Sequence, residues 1–205
     1  MVWDHIVLGL GNPGPKYSFT RHNAGFIVLD ILAQELGVKW TPALKGLGAK
    51  INADLTEMRV ENKNILALKP QTYMNLSGES LQKLFYLFGH LKENTPITVI
   101  HDEIDLELGK VRVKFGGGDA GHNGLKSIRS VLGHGDFFRV RMGVSKPPAD
   151  SKIEVADWVL QNFQDSEHEL LYSSTDRCIT SLKCLIDNPN ENLQKAQTLA
   201  SRDET

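Results

Sequence analysis

His5-Ile6-Val7-Leu8-Gly9-Leu10-Gly11-Asn12-Pro13-Gly14 opens the chain with a short apolar run that ends in a cluster of glycine and proline. An uninterrupted apolar run of this length is the pattern of a strand buried on both faces, and the cluster after it marks a loop. Residues 23–37 then read as a helix, with Leu29, Leu32 and Leu36 on one face, Asp30, Gln34 and Glu35 elsewhere, and Gly37 as a stop. One strand–loop–helix unit is therefore expected at the start, and the rest of the chain repeats the theme. Strand-like runs recur at residues 49–55, 64–68, 97–101, 111–115 and 138–144. Helical spacing appears at residues 77–89, 123–132, 153–163, 166–186 and 191–200. This alternation predicts an α/β fold: one domain with a twisted, mixed, mostly parallel sheet covered by helices on both faces. The expected domain spans residues 1–187, followed by a polar, partly helical tail at 188–205.

The 205 residues suffice for one substantial core, and 40% hydrophobic with 23% charged residues is an ordinary globular balance. No apolar run approaches a membrane span, and the first residues lack a basic region followed by an apolar stretch, so a cytoplasmic protein without membrane contact is expected. Cys178 and Cys184, six apart on a helical segment, fall on different faces and read as reduced structural thiols. The net charge of −2 conceals a local imbalance: residues 110–146 hold eight basic side chains (Lys110, Arg112, Lys114, Lys126, Arg129, Arg139, Arg141, Lys146) against two acidic ones. Such a segment can bind phosphate, although charge alone favours an ordinary solvated face.

Ligands of open α/β sheets bind beyond the carboxyl ends of the strands. Asn12 and His22 follow the first strand, Asn75 the third, Asp102 the fourth, and His122 and Asn123 the basic strand with its glycine run. Three amides, two imidazoles and a carboxylate are thus expected on one rim. Gly9-Leu10-Gly11-Asn12-Pro13-Gly14 literally fits a dinucleotide fingerprint, but Pro13, Pro15 and residues 16–21 intervene before the helix, and Glu35 lies within it. The glycines read instead as a rigid loop aiming Asn12. Gly116 to Gly124 permits close approach to a ligand before a helix start, or is a plain connection with Asn123 as its N-cap. His22 suits a general base, with Asp102 able to fix its tautomer. A metal site at His101, Asp102, Glu103 and Asp105 is disfavoured by the lack of ligand spacing, and no G-x-S-x-G elbow makes Ser77 or Ser80 a nucleophile.

Taken in order, Gly11-Asn12-Pro13-Gly14, Thr20-Arg21-His22-Asn23-Ala24-Gly25, Lys69-Pro70-Gln71-Thr72-Tyr73-Met74-Asn75-Leu76-Ser77-Gly78, His101-Asp102-Glu103 and Gly121-His122-Asn123-Gly124-Leu125 closely resemble the bacterial peptidyl-tRNA hydrolases, from the first strand to about Pro147. The resemblance implies a monomeric α/β enzyme without metal or cofactor and without a stable protein partner. It would hydrolyse the ester joining a peptide to the 3′ ribose of tRNA, recycling tRNA from aborted translation. It makes His22 the base and Asp102 its partner, with Asn12, Asn75 and Asn123 holding peptide and attacking water. Tyr17, Met74 and His122 would line the site, and Lys114 and Arg141 would clamp the tRNA 5′ phosphate. Lys110 and Arg112 on the same basic stretch add phosphate affinity without reading sequence. The chain departs from the family at Ala120, where glycine is usual, and at Ser145 in a stretch that elsewhere carries more glycine. A non-catalytic RNA-binding relative is the alternative, and a metal- or nucleotide-dependent hydrolase a third reading.

Overall fold

The computed structural model describes residues 3–41, 50–91 and 95–202. Strand β1 (His5–Gly9) leads through the Asn12 loop and a 3-10 turn at Arg21–Asn23 into helix α1 (Ala24–Glu35). Strands β2 (Ala53–Val60) and β3 (Lys63–Pro70) form a hairpin, and helix α2 (Gly78–Leu87) follows. Strands β4 (Ile97–Glu103) and β5 (Val111–Phe115) precede helix α3 (Asn123–Leu132), and β6 (Phe138–Gly143) completes the sheet. Helices α4 (Val155–Val159), α5 (His168–Asp187) and α6 (Pro189–Ser201) close the chain.

The strand order is β2-β3-β1-β4-β6-β5. Strands β3, β1, β4 and β6 run parallel, and the edge strands β2 and β5 are antiparallel to their neighbours. Helices cover both faces, so side chains alternating along each central strand enter two cores. Val7 and Ile100 meet α1, α5 and α6 through Val28, Leu182 and Ala196. Ile6, Leu8 and Val99 meet α2 and α3 through Leu81, Leu84 and Ile128. Each fully buried Leu or Ile contributes about 1.5–3 kcal/mol over its exposed state. The expected α/β architecture with a mixed, helix-covered sheet is therefore what the chain forms.

Three elements differ in extent from expectation. The strand expected at residues 49–55 lies later, at Ala53–Val60, because Ile51 ends a helical turn and Asn52 (φ 55°) reverses the chain; residue 49 is outside the described residues. Its whole length pairs with β3 across a two-residue turn at Glu61 and Asn62, Glu61 taking φ 50°. The helix expected at residues 153–163 stops at Val159, because residues 161–163 spend their backbone groups on Phe19–Arg21. Arg21 N–H donates to Gln161 O and Phe163 N–H to Phe19 O. Residues 189–201 form a full helix with Pro189 at its first turn, where a missing N–H costs nothing, and Ala196 and Ala200 are buried in the core. Among the described residues, no helix is long and apolar enough to cross a membrane.

Two glycines set how closely α1 approaches the sheet. A Cβ on Gly25 would lie 2.3 Å from both Ile100 O and Leu10 N, and one on Gly9 would lie 2.5 Å from Gly25 O. A Cβ on Gly11 would strike the Phe26 ring. Gly9 and Gly11 of the dinucleotide-like motif are thus consumed by helix-on-strand packing, which brings the turn before α1, and His22 with it, over the end of β4, while Gly14 (φ 100°) faces open space.

Candidate active site

A cleft of about 730 Å³ opens above the carboxyl ends of β1, β3 and β4, within the range usual for ligand sites. It brings together Asn12, Tyr17, His22, Met74, Asn75, Asp102, His122 and Asn123. Of the residues singled out in the sequence, the four basic ones lie outside this lining, as described below.

At its base His22 donates Nδ1–H to Asp102, with the carboxylate oxygens 2.9 and 3.0 Å away. That bond assigns the proton to Nδ1 and leaves the Nε2 lone pair for a water. Burial disfavours a charged ring, yet the Asp102 charge and hydrogen bond outweigh it and raise the His22 pKa above 6.5. Burial would likewise raise the Asp102 carboxyl, but the imidazoles of His22 and His122 hold it well below the usual carboxylate range. Asp102 belongs to β4 itself, paired with Met142, rather than lying past the strand end. His101, fully buried, donates Nδ1–H to the Asp102 carbonyl at 2.7 Å and so fixes the backbone that carries the carboxylate.

His122 was expected to line the site, and it does more. Its Nδ1 accepts from the backbone N–H of Gly124 at 3.1 Å and Leu125 at 3.4 Å, capping α3. The cap is therefore His122, and Asn123 is the first helical residue. A lone pair on Nδ1 puts the proton on Nε2, which donates to Asp102 Oδ1 at 3.0 Å. This bears on metal binding: His22, Asp102 and His122 are the one grouping among the described residues whose ligand atoms gather closely, within 4.8 Å. A cation there would displace both ring protons, and His122 would keep its cap only as an imidazolate. The donor set fits a doubly hydrogen-bonded carboxylate.

The route of His122 to this position departs from the sequence reading. Because β5 runs antiparallel to β6, with Phe115 opposite Phe138, its carboxyl end lies at the far end of the sheet from Asp102. The loop from Gly116 to Gly121 must climb back over the sheet to reach the rim. Arg139, 1% exposed, fastens it with guanidinium bonds to the carbonyls of Gly117 and Gly118. Gly116 (φ 71°) and Gly117 (φ 106°) supply backbone angles that side chains resist. Ala120 (φ 47°) and Ser145 (φ 61°) occupy the same left-handed region without being glycine.

Asn12 is held by a residue that sequence reasoning passed over. Asn23 accepts from Asn12 N–H at 2.9 Å and donates to Asn12 O at 3.0 Å. Asn12 Oδ1 in turn accepts from Met74 N–H at 2.9 Å, which fixes the orientation of the amide and leaves its Nδ2 as a donor. Asn75 and Asn123 are exposed at the rim, free to donate and accept. Opposite the polar floor, Val155, Ala156, Val159 and Leu160 form an apolar wall. Helical spacing identified the helix at 153–163 but carried no signal that its end faces the cleft. Among the described lining residues there is no Ser, Thr, Cys or Lys.

The basic residues share one face of the β5–β6 ribbon: Arg112 lies opposite Arg141, and Lys114 opposite Arg139, so their side chains point the same way. Lys110 precedes the strand. Arg141 binds Glu103 at 3.0 Å, and Arg112 is exposed. Burial, then the charges of Arg141 and Arg139, lower the Lys114 pKa.

Comparison with known proteins agrees with the geometry. The sequence profile of the family described as Peptidyl-tRNA hydrolase matches residues 6–204, well past Pro147 and through α6. The peptidyl-tRNA hydrolase of Rickettsia canadensis is 41% identical over 186 residues, covering 91% of this chain and 95% of the relative. That of Streptomyces avermitilis is 40% identical over 192 residues, 94% of this chain and 91% of the relative. The crystal structure of peptidyl-tRNA hydrolase from Acinetobacter baumannii superposes with a TM-score of 0.84 at 30% identity, covering all of this chain and 98% of that one. With fold, sequence and the rim of amides and imidazoles in accord, the chain belongs to the peptidyl-tRNA hydrolase family.

Proposed function

We propose that the chain hydrolyses the ester between a peptide and the 3′ ribose of tRNA by direct attack of water, with His22 as general base. The observation that carries this reading is the His22–Asp102 hydrogen bond at the floor of a cleft whose described lining holds no Ser, Thr, Cys or Lys. A water on His22 Nε2 attacks the ester carbonyl as its proton passes to the imidazole, and the Asp102 carboxylate stabilises the imidazolium. Asn12, its amide oriented by Met74 N–H, donates through Nδ2 to support the oxyanion. Collapse of the tetrahedral intermediate breaks the bond to the ribose 3′ oxygen, which takes the proton back from His22. Free tRNA and a peptide carboxylate result.

Asn75 and Asn123 bind the peptide backbone, which suits a substrate whose side chains vary. A free aminoacyl ester lacks the second peptide group and would leave such an amide unpaired, at a cost of about 1–3 kcal/mol. Lys114 and Arg141, with Lys110 and Arg112 beside them, hold tRNA through phosphate. The reading includes a monomer acting in the cytoplasm, where translation supplies the substrate, with no metal or cofactor. The test is single-turnover hydrolysis of an N-acetylated aminoacyl-tRNA in ¹⁸O-labelled water with EDTA present. Release of free tRNA and one labelled oxygen in the carboxyl product is expected. Tight tRNA binding with no release would instead favour a non-catalytic RNA-binding protein.

A further inference from the structure

Arg21, next to the base in sequence, has no place in the chemistry above, yet its side chain is among the largest that are fully buried, at 1% exposure. Its Nη2 donates to both carboxylate oxygens of Glu167 at 2.9 and 2.8 Å. The guanidinium carbon lies 4.1 Å from the centroid of the Trp158 ring and 5.1 Å from that of Phe163. Its Nε and Nη1 are buried without hydrogen-bond partners, so the stack on the aromatic faces is what occupies the rest of the cation. Trp158 belongs to α4, and its Nε1–H donates to Ser145 O at 2.8 Å. The same short helix presents Val155, Ala156 and Val159 to the cleft, with Leu160 just after it. Glu167 also accepts from Gln164 N–H, tying the start of the next helical segment to the same point.

We infer that Arg21 is a positioning residue that fixes the apolar wall of the cleft against the turn carrying His22, so that peptide bound on the wall meets the base in register. The inference rests on the hydrolase reading above, and it assigns Arg21 to substrate placement rather than to proton transfer. Two links join the elements. The backbone pairing of residues 19–21 with 161–163 holds the turn, and the guanidinium holds the wall. Losing only the guanidinium should loosen the wall and leave the His22–Asp102 bond intact.

The test compares wild type with Arg21→Lys, Glu167→Gln and Leu160→Ser on an N-acetylated dipeptidyl-tRNA, reading KM, kcat and the acid limb of the pH profile. Lysine keeps the charge but loses the planar fork and the stack, and an increase in KM on the order of tenfold is expected, with kcat and the acid limb unchanged. Glu167→Gln retains one acceptor for the buried guanidinium and should move KM the same way by a smaller factor. Leu160→Ser, on the exposed edge of the wall, should also raise KM. Unchanged KM in Glu167→Gln and Arg21→Lys, or in Leu160→Ser, overturns the inference, as does a fall in kcat with a shifted acid limb at constant KM. A wild type that releases no peptide overturns the hydrolase reading itself, a result separate from any change among the variants.

Discussion

His122 donates to the same Oδ1 of Asp102 that His22 uses, at 3.0 Å against 2.9 Å, while its other nitrogen caps α3. The carboxylate is therefore steadied from the helix side by a residue whose own tautomer is set by backbone amides. His122→Ala should remove the cap and cost about 0.5–2 kcal/mol of stability, read as a lower midpoint in chemical denaturation. Because Asp102 remains, the acid limb of kcat/KM should stay above pH 6.5. A limb that fell below that value would show that His122, and not Asp102, sustains the His22 pKa.

The sign of the Asp102 effect follows from the two opposing influences on His22. Burial lowers its pKa and the Asp102 charge raises it, with a net upward shift, and in the proposed role of base His22 works only when unprotonated. Activity should therefore fall as pH drops through a value above 6.5. Asp102→Asn leaves burial unopposed, so the limb should move down while the rate falls by roughly 10²–10⁴. A limb that stayed in place would detach it from His22.

Lys114→Ala should weaken tRNA binding uniformly across tRNAs and reduce the slope of log K against log salt by about 1. A short ester lacking the acceptor stem should be cleaved as by wild type. Arg141 is a less clean probe, because its removal leaves Glu103, 7% exposed, without its guanidinium partner. Equal losses on both substrates after Lys114→Ala would place the lysine in the chemistry instead.

Ala120 and Ser145 give opposite expectations for the same change. Each sits at positive φ, where a non-glycine residue carries a conformational cost of about 1–2 kcal/mol. Ala120 is exposed and glycine should relieve the cost, offset in part by added freedom of the unfolded chain, for a small rise in Tm. Ser145 Oγ accepts from Leu108 N–H at 2.9 Å, and Ser145→Gly forfeits that bond, so no gain is expected. Scanning calorimetry of the two variants checks the contrast.

Much of this molecule is legible in its sequence because local rules and tertiary structure agree there. The apolar run at His5–Gly9 is a central strand, and the amides and imidazoles beyond the strand ends meet in one cleft. What escaped reading depends on contacts distant in the chain. Strand β5 has the same local pattern whether parallel or antiparallel, so the climb of the glycine loop and the task of Arg139 were invisible. The role of Asn23 needs the Asn12 backbone folded onto it, and the five-residue α4 was overestimated because its last turn surrenders its backbone to Phe19–Arg21. Ala196 and Ala200 are too small to mark a polar segment as core-bound, yet they allow α6 to lie close against β5 and α5.

The central claim is that His22 activates water, and the most direct measurement is the single-turnover rate of His22→Ala against wild type on an N-acetylated aminoacyl-tRNA at saturating enzyme. Removal of a positioned general base predicts a loss of roughly 10²–10⁴ in rate with tRNA affinity preserved. A variant that released peptide within a few-fold of the wild-type rate would contradict the account.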